Sequence, residues 1–131
     1  MDAKSMKPLT RAELEVMNIL WDGDGGMTVH EIVAGFEEPQ PAYTTVATFL
    51  RILEAKGYVE HRRREMVGRT FCFYPQLSRQ KYLTQVVGDV RDTLFGRSAK
   101  NLLHFLVEEE ELSEADLQDI LAMMNNGNLG K

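Results

Sequence analysis

The sequence predicts a mainly α-helical fold interrupted by one small β-hairpin, and three observations carry that expectation. Thr10 with Glu13, Thr28 with Glu31, and Ser113 with Asp116 each place a hydroxyl three residues ahead of a carboxylate. That is the capping-box spacing of a helix start, with Asp a shorter stand-in for Glu in the third. The residues after Gly57 alternate, pass a Val67-Gly68 turn and return over residues 69–74, which reads as two strands. From Ser78 onward apolar residues recur at the helical period, and strand signals vanish.

Each cap is flanked by an apolar pair, a hydrophobic staple: Leu9 and Leu14, Met27 and Ile32, Leu112 and Leu117. The first helix is expected over residues 11–21, with Leu14, Met17, Leu20 and Trp21 facing inward. Asp22-Gly23-Asp24-Gly25-Gly26 must end it. The second is expected over residues 29–36, its stripe made of Val29, Ile32, Val33 and Phe36. Residues 37–41, with two prolines, then break the chain.

The next helix has two opposed faces. Val46, Phe49, Leu50 and Leu53 fall at i, i+3, i+4 and i+7, one apolar stripe. Thr44, Ala47, Thr48 and Arg51 repeat that spacing two residues earlier. Two residues turn a helix by roughly 200°, so this set lies on the far side. Short hydroxyl side chains let a helix backbone come close to DNA, and an arginine reaches a guanine or a phosphate. A plain solvated face is the alternative, for which threonine is a poor helix former. Thr44, Thr45, Thr48 and Arg51 are therefore the expected groove contacts. Tyr43, at the helix start, either bonds a phosphate or packs on the 37–41 segment. Gly57 supplies a left-handed position after the last turn.

Two short helices, a break and a following basic hairpin make a winged helix-turn-helix. Arg62, Arg63 and Arg64 alternate across a strand, so no single face holds all three. Arg62 and Arg64 are expected to contact DNA backbone, and Arg69, beside Gly68 at the tip, a phosphate or the minor groove, with a solvated hairpin as the alternative.

Further on, Leu83, Val86, Val87, Val90 and Leu94 describe a helix of about four turns. Gly96 interrupts it. Residues 99–107, with Leu102, Leu103, Phe105, Leu106 and Val107, are apolar almost all round, which fits burial on several sides. The last helix uses Leu117, Ile120, Leu121 and Met124. Three such helices cannot bury this surface alone in about 50 residues. Either they pack back on the first half or they pair with a second copy of the chain. Pairing is preferred, because two half-sites are then bound as one unit. The expected organisation is a DNA-binding domain over 1–77 and a helical dimerisation domain over 78–131. Leu83, Val87, Val90, Leu94, Leu102, Leu103, Leu106, Leu117, Ile120 and Leu121 are the expected dimer contacts.

A chain of 131 residues holds one ordinary domain or two small ones. With 44% hydrophobic and 27% charged residues it is globular rather than disordered. No apolar run approaches the roughly 20 residues that cross a bilayer, and MDAKSMKP lacks a signal-peptide core. A cytoplasmic location is expected. The single Cys72 excludes an intrachain disulfide and is expected to be buried. His30, His61 and His104 are scattered, with no HExxH, CxxC or glycine-rich phosphate loop, so no catalysis, metal or cofactor is expected. His30 reads as a surface residue and His104, inside an apolar helix, as a core histidine.

The net charge of −5 argues mildly against nucleic acid, whose binding neutralises phosphates. Distribution matters more. Residues 49–71 hold six basic side chains against three acidic ones, and acidic residues gather elsewhere, as at Glu108-Glu109-Glu110-Glu111. A winged-helix protein-interaction module without DNA binding is the alternative; salt-sensitive binding to a duplex separates the two.

LTRAELEVMNILW (residues 9–21), TTVATFLRILEAKG (44–57) and GRTFCFYP (68–75) closely resemble the penicillinase-repressor family. These are bacterial winged-helix repressors of β-lactamase and methicillin-resistance operons, with copper-responsive relatives. The resemblance implies a homodimer held by its C-terminal helices on inverted-repeat operator DNA, blocking transcription. It also implies release through proteolysis by a membrane sensor-transducer metalloprotease, here in the region of His104, Phe105 and Leu106. The Asn-Phe bond cut in the best-known members is not reproduced there. The C-terminal CxC motifs of the copper-responsive members are absent from the sequence. Relatives often carry a lysine or arginine at the position of Ala47 and an arginine at that of Ile52, which leaves Arg51 part of the operator reading.

Overall fold

The capping boxes form as their spacing predicts. Thr10 Oγ1 accepts from the Glu13 amide at 3.2 Å while Glu13 Oε1 accepts from the Thr10 amide at 3.0 Å. Thr28 and Glu31 repeat the exchange at 3.1 and 2.9 Å, and Ser113 and Asp116 at 3.0 Å in both directions. The structure, a computed structural model, describes residues 8–64 and 70–125. Its elements in order are α1 (Arg11–Asp22), α2 (Val29–Ala34), α3 (Tyr43–Ala55), β1 (Val59–Arg64), β2 (Thr70–Pro75), α4 (Arg79–Leu94), α5 (Ala99–Glu109) and α6 (Glu114–Asn125). The fold is mainly α with one antiparallel hairpin, as the patterning requires. Two compact units divide the chain, Met1–Tyr82 and Leu83–Lys131.

In the first unit, α1, α2 and α3 close on a core of Val16, Met17, Leu20, Val29, Ile32, Val46, Leu50 and Leu53, joined by Tyr58 and Val59. The face of α1 differs from expectation. Its buried set is Glu13, Val16, Met17 and Leu20, while Leu14 and Trp21 are only half-buried. These positions are a regular i, i+3, i+4, i+7 stripe that begins with a carboxylate, so a search for apolar spacing starts one residue late.

Glu13 tolerates burial because two donors, the Lys56 ammonium and the Thr10 amide, meet its carboxylate. Lys56 Nζ, at the end of α3, lies 2.6 Å from Glu13 Oε1 and also donates to the Pro8 carbonyl at 3.1 Å. Burial pushes this carboxyl up, but the Lys56 and Thr10 hydrogen bonds and the lysine charge outweigh it, and the group titrates below its ordinary value. The pair clamps the start of α1 to the end of α3.

The second helix stops at Ala34, two residues early, so the connection to α3 spans residues 35–42 rather than 37–41. Gly35 ends it, packed against Ile19 so closely that an added Cβ would lie 2.8 Å from the Ile19 Cγ2. Val29 and Ile32 are buried, Val33 and Phe36 half-buried. The end of α3 is a complete Schellman motif. Gly57, at φ +89°, donates to the Glu54 carbonyl at 3.0 Å, and Tyr58 donates to that of Leu53 at 2.9 Å. Tyr58 thereby enters the core directly beneath the helix it terminates.

The hairpin pairs Val59 with Pro75, His61 with Phe73, and Arg63 with Phe71. Cys72 is buried and free, as expected. One bridge was not legible in the sequence: Met27 and Phe73 exchange backbone hydrogen bonds at 2.8 and 3.1 Å. It lays the segment before α2 along the outer edge of β2. Gly26 makes this possible, since a Cβ there would lie 2.3 Å from the Tyr74 ring.

Trp21 Nε1 donates to the Leu77 carbonyl at 2.8 Å, and the Arg79 guanidinium pairs with Asp22 at 2.8 Å. Tyr82 stacks against Trp21 and Tyr58, so the first turn of α4 belongs to the winged unit.

The second unit is different in kind. No described residue of α4, α5 or α6 is buried. The expected burial of α5 on several sides is absent within one chain, and His104 is an exposed residue, not a core histidine; it lies 3.9 Å from Glu108. The apolar residues of these helices are left half-buried or exposed, Leu94 at 73% and Leu121 at 52%.

The Glu13–Lys56 clamp generates a test. A carboxyl whose folded pKa is depressed stabilises the fold above its unfolded value, and that contribution fades as pH falls through the folded one. Glu13→Gln keeps the cap but loses the ion pair. It should cost about 1–2 kcal/mol at neutral pH and progressively less as pH falls below the ordinary carboxylate range, as read by urea unfolding.

Candidate nucleic-acid interface

Burial of Val46, Leu50 and Leu53 turns the opposite ridge of α3 outward. Tyr43, Thr44, Thr45, Thr48 and Arg51 are all exposed, and Ala47 is half-buried between them. Thr48 Oγ1 donates to the Thr44 carbonyl at 2.9 Å, so its hydroxyl presents lone pairs outward and keeps its hydrogen inside. Among the described residues the Arg51 side chain has no hydrogen-bond or ion-pair partner. The Tyr43 ring lies against His30 of α2, centroids 4.6 Å apart, and it remains 46% exposed.

The hairpin presents its arginines on both faces, as strand alternation demands. Arg62 Nε donates to Glu60 at 2.8 Å, and its guanidinium sits 4.3 Å above the Tyr74 ring centre. The Glu60 hydrogen bond holds that group still further above its ordinary range, so it is charged at any working pH. Arg63 lies on the other face, 5.7 Å from the Phe71 ring centre. The Arg64 side chain and Arg69 lie outside the described residues.

A cleft of about 570 Å³ separates α3 from the hairpin. Tyr43, Ala47, Arg51 and Glu54 form one wall, His61, Phe71 and Phe73 another, and Thr28, Val29 and His30 close an end. His61 Nδ1 lies 2.8 Å from both carboxylate oxygens of Glu54. Neither residue stood out in the sequence. They are seven apart, on a helix and a strand, and only the Gly57 reversal brings them together. The described residues hold no group of three or more His, Cys, Asp or Glu arranged for a metal ion.

An outward polar ridge beside a basic hairpin is the arrangement expected of the family named by the sequence motifs. Residues 9–126 match the family described as penicillinase repressor. The chain belongs to the penicillinase repressor family. No curated protein matches it. The family is one of DNA-binding transcriptional repressors, which is not an enzyme class. Among the described residues of this penicillinase-repressor relative, no helix is long and apolar enough to cross a membrane.

Proposed function

We propose that this member of the family represses transcription as a cytoplasmic homodimer bound to an inverted-repeat operator. Residues 1–77 act as the DNA-binding domain and 78–131 as the dimerisation domain. The observation that carries the reading is the outward ridge of α3, with Arg51 unengaged and a basic hairpin beside it. In this reading α3 enters the major groove, where Thr44, Thr45, Thr48 and Arg51 meet base edges. Tyr43, propped by His30, and the hairpin arginines Arg62, Arg64 and Arg69 take the phosphates.

The second chain covers the apolar stripes that a single chain leaves open. Leu83, Val87 and Leu94 of α4, Leu103 and Leu106 of α5, and Leu121 of α6 are each more than a third exposed. Exposed apolar surface on this scale marks an interaction face, and Val90, Leu102, Leu117 and Ile120 extend it. Relief of repression is by proteolysis in α5 around His104, Phe105 and Leu106, by a membrane sensor-transducer metalloprotease.

Selection of bound duplexes from a random DNA pool should return a two-fold symmetric sequence with half-sites about one helical turn, or a multiple of it, apart. Absence of salt-sensitive binding to any duplex would instead favour a protein-interaction module. On the selected duplex, Arg51→Ala should weaken binding by roughly 1–3 kcal/mol, and unchanged affinity removes Arg51 from the interface. Arg62→Gln should reduce the slope of log affinity against log salt by about one unit; an unmoved slope takes the hairpin off the phosphates. Leu103→Glu should convert the sedimenting species from two chains to one and weaken operator binding by about 100-fold or more. A dimer that survives this change puts the contact elsewhere.

A further inference from the structure

Glu54 presents a difficulty for the proposed interface. It lies three residues beyond Arg51 on the same face of α3, and both line the cleft that opens beside the groove-reading ridge. Residues at i and i+3 are neighbours on a helix surface, and an oppositely charged pair there attracts. A free carboxylate at this place would draw the Arg51 guanidinium along the helix and would also repel phosphates. Yet Arg51 is unengaged, and the Glu54 carboxylate is taken by His61 instead.

The geometry of that capture is specific. Both carboxylate oxygens lie 2.8 Å from His61 Nδ1. An ionised carboxylate only accepts, so Nδ1 carries the hydrogen. The imidazole is itself held on edge, its centroid 5.1 Å from Phe71 at 89° and 5.9 Å from Phe73. Other charged groups nearby have their own engagements: Lys56 is on Glu13, and Arg63 lies over Phe71. His30, across the cleft, stacks on Tyr43.

We propose that His61 is a positioning residue for DNA binding, acting through Glu54: it holds that carboxylate against the hairpin and so leaves Arg51 free for the operator. The same contact ties β1 to α3 and sets the hairpin beside the reading helix. This rests on the reading of α3 as the groove-entering element, and it gives the acidic residue on that helix a function: it anchors the hairpin.

The test is a double-mutant cycle on the selected duplex, with melting temperature followed in parallel. His61→Phe keeps a ring between Phe71 and Phe73 but releases Glu54, and should weaken binding about three- to tenfold. In the Glu54→Gln background, where no carboxylate remains to be released, the same change should alter affinity less than about twofold. His61→Ser repeats the cycle without a bulky ring should the phenylalanine variant fail to fold. An equal loss in both backgrounds overturns the proposal and leaves the repressor reading standing, because His61 then touches DNA itself or matters only for folding. Failure of the unaltered chain to retain any duplex overturns both.

Discussion

The first unit depends on one division of labour, made by α3. Val46, Leu50 and Leu53 are fully buried against α1 and α2, and this fixes the rotation of the helix about its own axis. Once that rotation is fixed, Thr44, Thr48 and Arg51 have no inward partner and must face out. Both ends of the helix are also tied. The Schellman turn at Gly57 drives Tyr58 into the core, and Lys56 grips the buried carboxylate that starts α1. The proposed groove contact depends on this mount, since side chains can match a groove only if their backbone does not roll.

The hairpin is held to this mount by polar contacts as much as by packing. The Met27–Phe73 bridge joins β2 to the residues before α2, and Gly26 admits the Tyr74 ring at that junction. Glu54 and His61 close the other side. Arg62, spread over Tyr74 and bonded to Glu60, is partly ordered before any partner arrives, which reduces the entropy lost on contact. The second unit obeys the opposite rule. Its helices are well capped, by Ser98 and Ser113 among others, but none of their described residues is buried within one chain. Local structure is complete there while burial is not, and it is this surface that the proposed pairing of two chains would cover.

Much of this was legible in the residues because the signals are local. A hydroxyl and a carboxylate three apart satisfy each other within one turn, whatever the rest of the chain does. A glycine after the last helical turn reports a backbone conformation that other residues resist. The two faces of α3 follow from its 3.6-residue period alone. The errors came where a distant residue decided the outcome. Glu13 has the spacing of a capping residue, and nothing near it reveals that Lys56, 43 positions away, makes its burial tolerable. The apolar neighbours of His104 along the chain suggest a core residue, yet its side chain is exposed.

The amino-acid sequence by itself determined where the capped helices start, which side of α3 is apolar, and that a basic hairpin follows. These are properties of neighbouring residues and their hydrogen bonds. Only the tertiary structure decided that the stripe of α1 begins at a carboxylate, that Met27 adds an edge to the hairpin, and that Glu54 is held by His61 rather than by Arg51. Those outcomes depend on groups far apart along the chain, and their partners are chosen by the way α1, α3 and the hairpin close on one core.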